Sequence, residues 1–167
     1  MSQKRGIHFI IASVVIWSMV VIVHATQLPI ETKNLLTFCC TCPLMPLAKL
    51  FSLPLRIPFT DKDNPLSQLG LVISCAQLPY LLIAMWIFAD VPDKLVMVLA
   101  MIFGAHLLPF GWLYKSTVYY IMTGVLTMGA LIISLLFSLM FLVMCMAITE
   151  MAFVSLLYFE NKSLKSE

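Results

Sequence analysis

From Ser116 to Phe159 the chain carries a single charged residue, Glu150. At ~20 residues per bilayer crossing, a run of this length is two transmembrane helices' worth. It therefore reads as helices at about 117–137 and 140–159, joined by a very tight turn near Phe137 to Met140. Ala130, Ser134 and Ser138, spaced four apart, give the first of these a stripe of small residues for close helix contact.

The rest of the chain continues the pattern. Of 167 residues, 62% are hydrophobic and 11% charged, and the mean hydropathy is +1.02. Soluble domains carry about 25% charged residues, so most of this chain's solvent must be lipid. An apolar run from Ile7 to Val23 follows a cationic start and predicts a helix at about 7–24. It is longer than the ~7–15 apolar residues of a secretory signal, so it reads as a retained span. The connector HATQLPIETKN leads to a helix at about 35–55, interrupted by Pro43, Pro46 and Pro54, with Lys49 inside it. Each proline removes a backbone donor and displaces the carbonyl four residues back. This helix is therefore expected to be kinked or partly unwound, and buried against neighbours rather than facing lipid.

Asp61-Lys62-Asp63-Asn64-Pro65 reads as a turn before a helix at about 66–89. That helix has Gly70 and Ser74 as a contact pair, and Gln77 and Pro79 near its middle. A helix at about 93–114 begins after Pro92 and carries Ala100, Gly104, His106 and Pro109. It closes on Trp112, Tyr114 and Lys115, an aromatic belt with a cationic stop. The expected fold is an all-α integral membrane protein, a six-transmembrane-helix bundle in a single membrane domain.

Charge asymmetry sets the expected topology. With six crossings, one side holds eight of the Lys and Arg residues and the other holds Lys33 and Lys94. The positive-inside bias then puts both termini in the cytoplasm. The net charge of +2, with no basic stripe, argues against nucleic acid as a partner. Dinucleotide, P-loop, zinc-protease and nucleophile-elbow fingerprints are all absent, so no cofactor is expected. Cys39, Cys40 and Cys42 form neither a redox nor a zinc spacing. With Cys75 and Cys145 they read as free thiols at helix contacts. The twelve methionines read as packing residues, and no metal site is expected. The partners in view are the lipid bilayer itself and a second copy or another membrane protein.

Three stretches, ETKNLLTFC (31–39), PFTDKDNPLSQLG (58–70) and AMIFGAHLLPFGWLYKS (100–116), together resemble a family of small uncharacterised bacterial multi-pass membrane proteins, a domain of unknown function. The resemblance implies a bacterial inner-membrane protein of about this size. It brings no activity, substrate or catalytic residue with it.

The chemistry must then come from polar residues inside spans. Glu150 is the costliest, at roughly 2.5–3.5 kcal/mol for an ionisable residue at a span centre. His106 falls within about one helical turn of its depth, with Pro109 freeing the Ala105 carbonyl nearby. Gln77 lies at a similar depth. Together they describe a mid-membrane site that binds a small solute or relays a proton, with His106 and Glu150 in contact directly or through water. The same residues also suit a purely structural role as interhelical hydrogen bonds, each worth ~0.6–2 kcal/mol. Intramembrane catalysis is the third reading, but no nucleophile, base and orienting group come together in the sequence.

Overall fold

A computed structural model describes residues 6–57 and 65–163. The expected turn at Asp61–Asn64 and the last residues of the polar tail lie outside the described residues. Among those described, six helices are long and apolar enough to cross a membrane: Ile7–Ala25, Ile30–Ser52, Leu66–Asp90, Pro92–Tyr114, Thr117–Leu136 and Leu139–Ser163, here spans 1 to 6. The protein is an all-α six-helix bundle.

Three spans are continuous: α1 (Ile7–Ala25), α8 (Thr117–Leu136) and α9 (Leu139–Ser163). The other three are broken. Span 2 is α2 (Ile30–Thr41) followed by α3 (Leu44–Ser52). Span 3 is α4 (Pro65–Cys75) followed by α5 (Tyr80–Asp90). Span 4 opens on a 3₁₀ turn at Pro92–Lys94 and continues as α6 (Leu95–His106) and α7 (Leu108–Tyr114). The link between spans 5 and 6 is only Phe137 and Ser138.

The helices pack in the ring order 2-1-6-5-4-3. Spans 1, 6 and 5, with α6, hold the main core, built on residues such as Trp17, Leu142, Met146, Phe153 and Leu126. Gly104 sets the closest helix approach. A Cβ there would stand 2.6 Å from the Thr127 hydroxyl oxygen and 2.8 Å from its backbone nitrogen, so only glycine lets α6 and α8 come this near. Polar ties mark the two sides. Ser116 donates to Glu160 at 2.5 Å, and Tyr114 lies against Gly6, which gathers both ends of the described chain on one side. On the far side Asn34 donates to the Pro92 carbonyl at 2.8 Å and Lys33 to the His24 carbonyl at 3.2 Å.

Several details differ from the sequence reading. Span 2 begins at Ile30, ahead of the expected Leu35, because Pro29 introduces the helix and ETKN forms its first turns, with Asn34 and Thr37 facing inward. The expected kink is a full break at Cys42–Pro43. The expected burial of this span is confined to a narrow stripe of Asn34, Thr37, Ala48 and Ser52, while Leu35, Leu50 and Leu53 are more than half exposed. In the α8 stripe only Ala130 is buried. Ser138 is exposed because α8 ends at Leu136 and leaves it in the turn. The five cysteines are free thiols, but Cys39, Cys42 and Cys75 are exposed rather than buried at contacts.

Candidate functional site

The three helix breaks converge on one cavity of about 460 Å³, walled by spans 1 to 4 and closed by Tyr119 of α8. Its size lies within the ~300–1,000 Å³ of small-molecule sites. Along α1 its wall runs from Phe9 to Val20, which is about 16 Å of helix axis.

Proline chemistry explains why the breaks fall here. Pro79 has no N–H to give the Cys75 carbonyl, so residues 74–80 close in short turns instead: Leu78 N–H to Cys75 at 3.0 Å and Tyr80 N–H to Gln77 at 3.1 Å. Pro109 does the same to span 4, where the Phe110 N–H turns to the Leu107 carbonyl at 3.0 Å. Pro46 leaves the Cys42 carbonyl without its helical donor. Each break delivers side chains to the cavity: Thr41 and Cys42 from span 2, Cys75, Gln77 and Leu78 from span 3, His106 and Leu107 from span 4. Irregular backbone at membrane depth is tolerated where it lines a cavity, and discontinuous helices recur at transporter sites.

The polar lining carries no Lys, Arg, Asp or Glu, and three of its hydroxyls have spent their protons. Thr37 donates to the Lys33 carbonyl at 2.9 Å, Thr41 to Phe38 at 2.7 Å and Ser74 to Gly70 at 2.9 Å. Their protons are spent within their own helices, which leaves oxygen lone pairs for a visitor. Thr37 also meets His24 Nε2 at 3.1 Å. With the Thr37 proton committed to Lys33, His24 is the donor in that pair. At the other end of the cavity an aromatic column forms the floor. The His106 ring stands edge-on to Phe110 at 5.3 Å, Phe110 stacks on Tyr114 at 5.7 Å, and Tyr119 follows at 5.5 Å from Tyr114. Tyr119 meets Phe153 of α9 at 5.0 Å.

Glu150 stands one side chain behind this wall. It is fully buried, and neither carboxyl oxygen has a hydrogen-bond partner among the described residues. The Ser13 hydroxyl lies beside it, and Tyr119 is within its electrostatic reach. Both Ser13 and Tyr119 line the cavity. A buried polar group without a partner carries its full desolvation cost, about 1–3 kcal/mol and more for a charge.

Of the residues singled out from sequence, His106 and Gln77 thus share the cavity wall, while Glu150 is outside it. No direct hydrogen bond joins Glu150 to His106; Ser13 is its neighbour instead. The sequence reading missed Ser13, Thr41, Cys42, Tyr114 and Tyr119. Ser13 had a usable signal. It lies seven residues beyond Gly6, and Glu150 ten before Glu160, so both sit toward the middle of antiparallel neighbours. Among the described residues no group of three His, Cys, Asp or Glu side chains is placed to hold a metal ion.

A family model described as a family of unknown function (DUF7010) matches residues 1–160. No curated protein and no solved structure matches the chain.

Proposed function

The chain belongs to a family of unknown function, DUF7010, so its activity has to be read from its own residues, and we propose that it is a small-solute carrier whose transport is linked to protonation of Glu150. The observation that carries this reading is the convergence of three broken spans on one cavity. Breaks in three helices cost backbone hydrogen bonds that a purely structural bundle would keep. A solute held against Gln77 and His106 would sit about halfway through the bilayer. Glu150 exchanges its proton with the cavity through the Ser13 hydroxyl, which can donate and accept at once.

The second reading is a non-catalytic membrane interaction subunit whose buried polar residues only fix helix packing. The ties His24–Thr37, Asn34–Pro92 and Ser116–Glu160 favour it, since each joins two spans. A homo-oligomer or a membrane partner would then cover the exposed face of span 3, where Leu82 and Trp86 are more than 60% exposed.

The deciding experiment is alkylation of Ser13→Cys by a water-soluble maleimide in intact membranes, paired with acid-pulse flux into proteoliposomes holding a pH dye. A carrier gives alkylation from at least one side and a flux that Glu150→Gln removes. A protected cysteine and no flux from correctly inserted protein select the structural role. We further propose a bacterial plasma membrane with both termini cytoplasmic, from the charge asymmetry. Reporter fusions after residues 30, 60, 92, 116 and 167 then read out, in, out, in, in. A periplasmic signal at the last would require an odd number of crossings.

A further inference from the structure

The cavity has a side door. Of the residues lining it, Cys42, Cys75 and Leu78 are exposed, and all the others are buried or half-buried. These three belong to the breaks of spans 2 and 3. Cys42 stands ten residues before the end of α3, and Cys75 ten residues into its span from the start of α4. Each is about 15 Å from the side that holds both ends of the described chain, halfway through a hydrocarbon core of about 30 Å. At that depth a bilayer offers an exposed side chain acyl chain rather than water.

The packing around the door is consistent with this. α2 and α3 lie on α1, α5 lies on α6 and α4 on α7. Near the far side the two spans are tied by Phe38 against Phe88, ring centroids 6.2 Å apart. Below that tie each span breaks, and the exposed lining residues lie at the breaks.

We propose that the cavity is loaded laterally from the bilayer, between the breaks of spans 2 and 3, and that its ligand is a neutral single-chain amphiphile with a hydrogen-bond-donating head, such as an alcohol. The inference rests on the carrier reading for what the cavity is for, but not for how it is reached. The ligand is neutral because no Lys, Arg, Asp or Glu side chain lines the cavity, and an unpaired charge there would go uncompensated. It is a donor because Thr41 and Ser74, flanking the door, have already given their protons to Phe38 and Gly70. Its tail is apolar because the far wall is Ile16, Trp17, Leu99 and Phe103.

The test uses the whole protein in nanodiscs containing a medium-chain alcohol with a diazirine in its chain. On illumination, label should appear on Ile16 and Trp17, which are 5% and 6% exposed and line the cavity. Excess unlabelled alcohol should displace it. Cys42→Trp and Cys75→Trp, each placing a bulky ring on the rim at an exposed position, should cut that labelling by about tenfold, a 1.4 kcal/mol change in occupancy. Label confined to Leu82 and Trp86 on the lipid face, unchanged by either variant, overturns the proposal. The two readings fail separately. Labelled Trp17 without solute-linked flux keeps the door and removes the carrier. Alkylated Ser13→Cys with an unlabelled far wall keeps a carrier and removes the door.

Discussion

Spans 3 and 6 are each 25 residues long and almost equal in mean hydropathy, yet 33% of the apolar window of span 6 is buried inside the protein and only 6% of that of span 3. Span 6 is unbroken and lies between spans 1 and 5. Span 3 is broken at its centre and leans mainly on span 4, with Phe38 of span 2 against its far end. Hydropathy thus reports that a segment crosses and is silent on what it touches. Lipid tails are as apolar as leucine, so apolar side chains gain little by choosing protein over bilayer. Small residues and polar groups make that choice. The tight half of the molecule has Gly104, Ala100 and Ala130 at its contacts, and the loose half has proline breaks and a cavity.

The largest expected effect that sharpens this contrast is at the α6–α8 contact. Gly104→Leu must push the α6 and α8 backbones apart and should cost about 2–3 kcal/mol in chemical unfolding from mixed micelles. Gly124→Ala on α8, where a Cβ meets nothing within 4 Å, should change stability by less than about 0.5 kcal/mol. Equal losses at the two glycines would break the comparison. Next, Glu150→Met should stabilise the bundle, by about 1–2 kcal/mol, because it removes a buried carboxyl whose one polar neighbour, Ser13, does not offset its desolvation, while keeping its volume. The same variant should lose proton-linked flux. A destabilised Glu150→Met would mean that the carboxyl is a structural tie.

A smaller effect separates the neighbours of Glu150. In a double-mutant cycle Ser13→Ala and Glu150→Met should couple by about 0.5–1 kcal/mol, and His106→Ala and Glu150→Met should add within about 0.3–0.5 kcal/mol. Strong His106–Glu150 coupling would restore the pairing inferred from depth. The smallest effect is expected on the loose half. Leu82→Ala, exposed on span 3, should shift unfolding by no more than about 0.5 kcal/mol.

The six crossings were legible because the signal is additive: each long apolar run suffices on its own, and Phe137–Ser138 could be located by length alone. The prolines of span 2 announced its break, whereas the spans carrying Pro79 and Pro109 were expected to run on as single helices and are broken as well. What the breaks would surround was not legible, since a cavity is a property of four helices at once. Pairing His106 with Glu150 by depth used one coordinate where two are needed. Depth put them at similar heights, but the ring order sets span 1 beside span 6, so Ser13 rather than His106 is the neighbour of Glu150. The polar ETKN segment was read as a connector because its composition is that of a loop. Lys33 and Asn34 instead donate to the His24 and Pro92 carbonyls, partners outside the segment that its own composition does not announce.

The link of Phe137 and Ser138 also bears on biogenesis. With only two residues between α8 and α9, the two helices are held together as one tight hairpin, and concerted insertion of the pair is the expected route into a bilayer. Its tip carries no charge that could anchor it on the far side. The cations nearest the hairpin are at its base, Lys115 before the first helix and Lys162 at the end of the second, where the positive-inside bias would act on it. The hairpin also carries Glu150 within the longest run of the chain that has no other charge. The leucines, isoleucines, valines and phenylalanines of α9 offset the carboxyl's transfer cost of roughly 2.5–3.5 kcal/mol before span 1 packs against it.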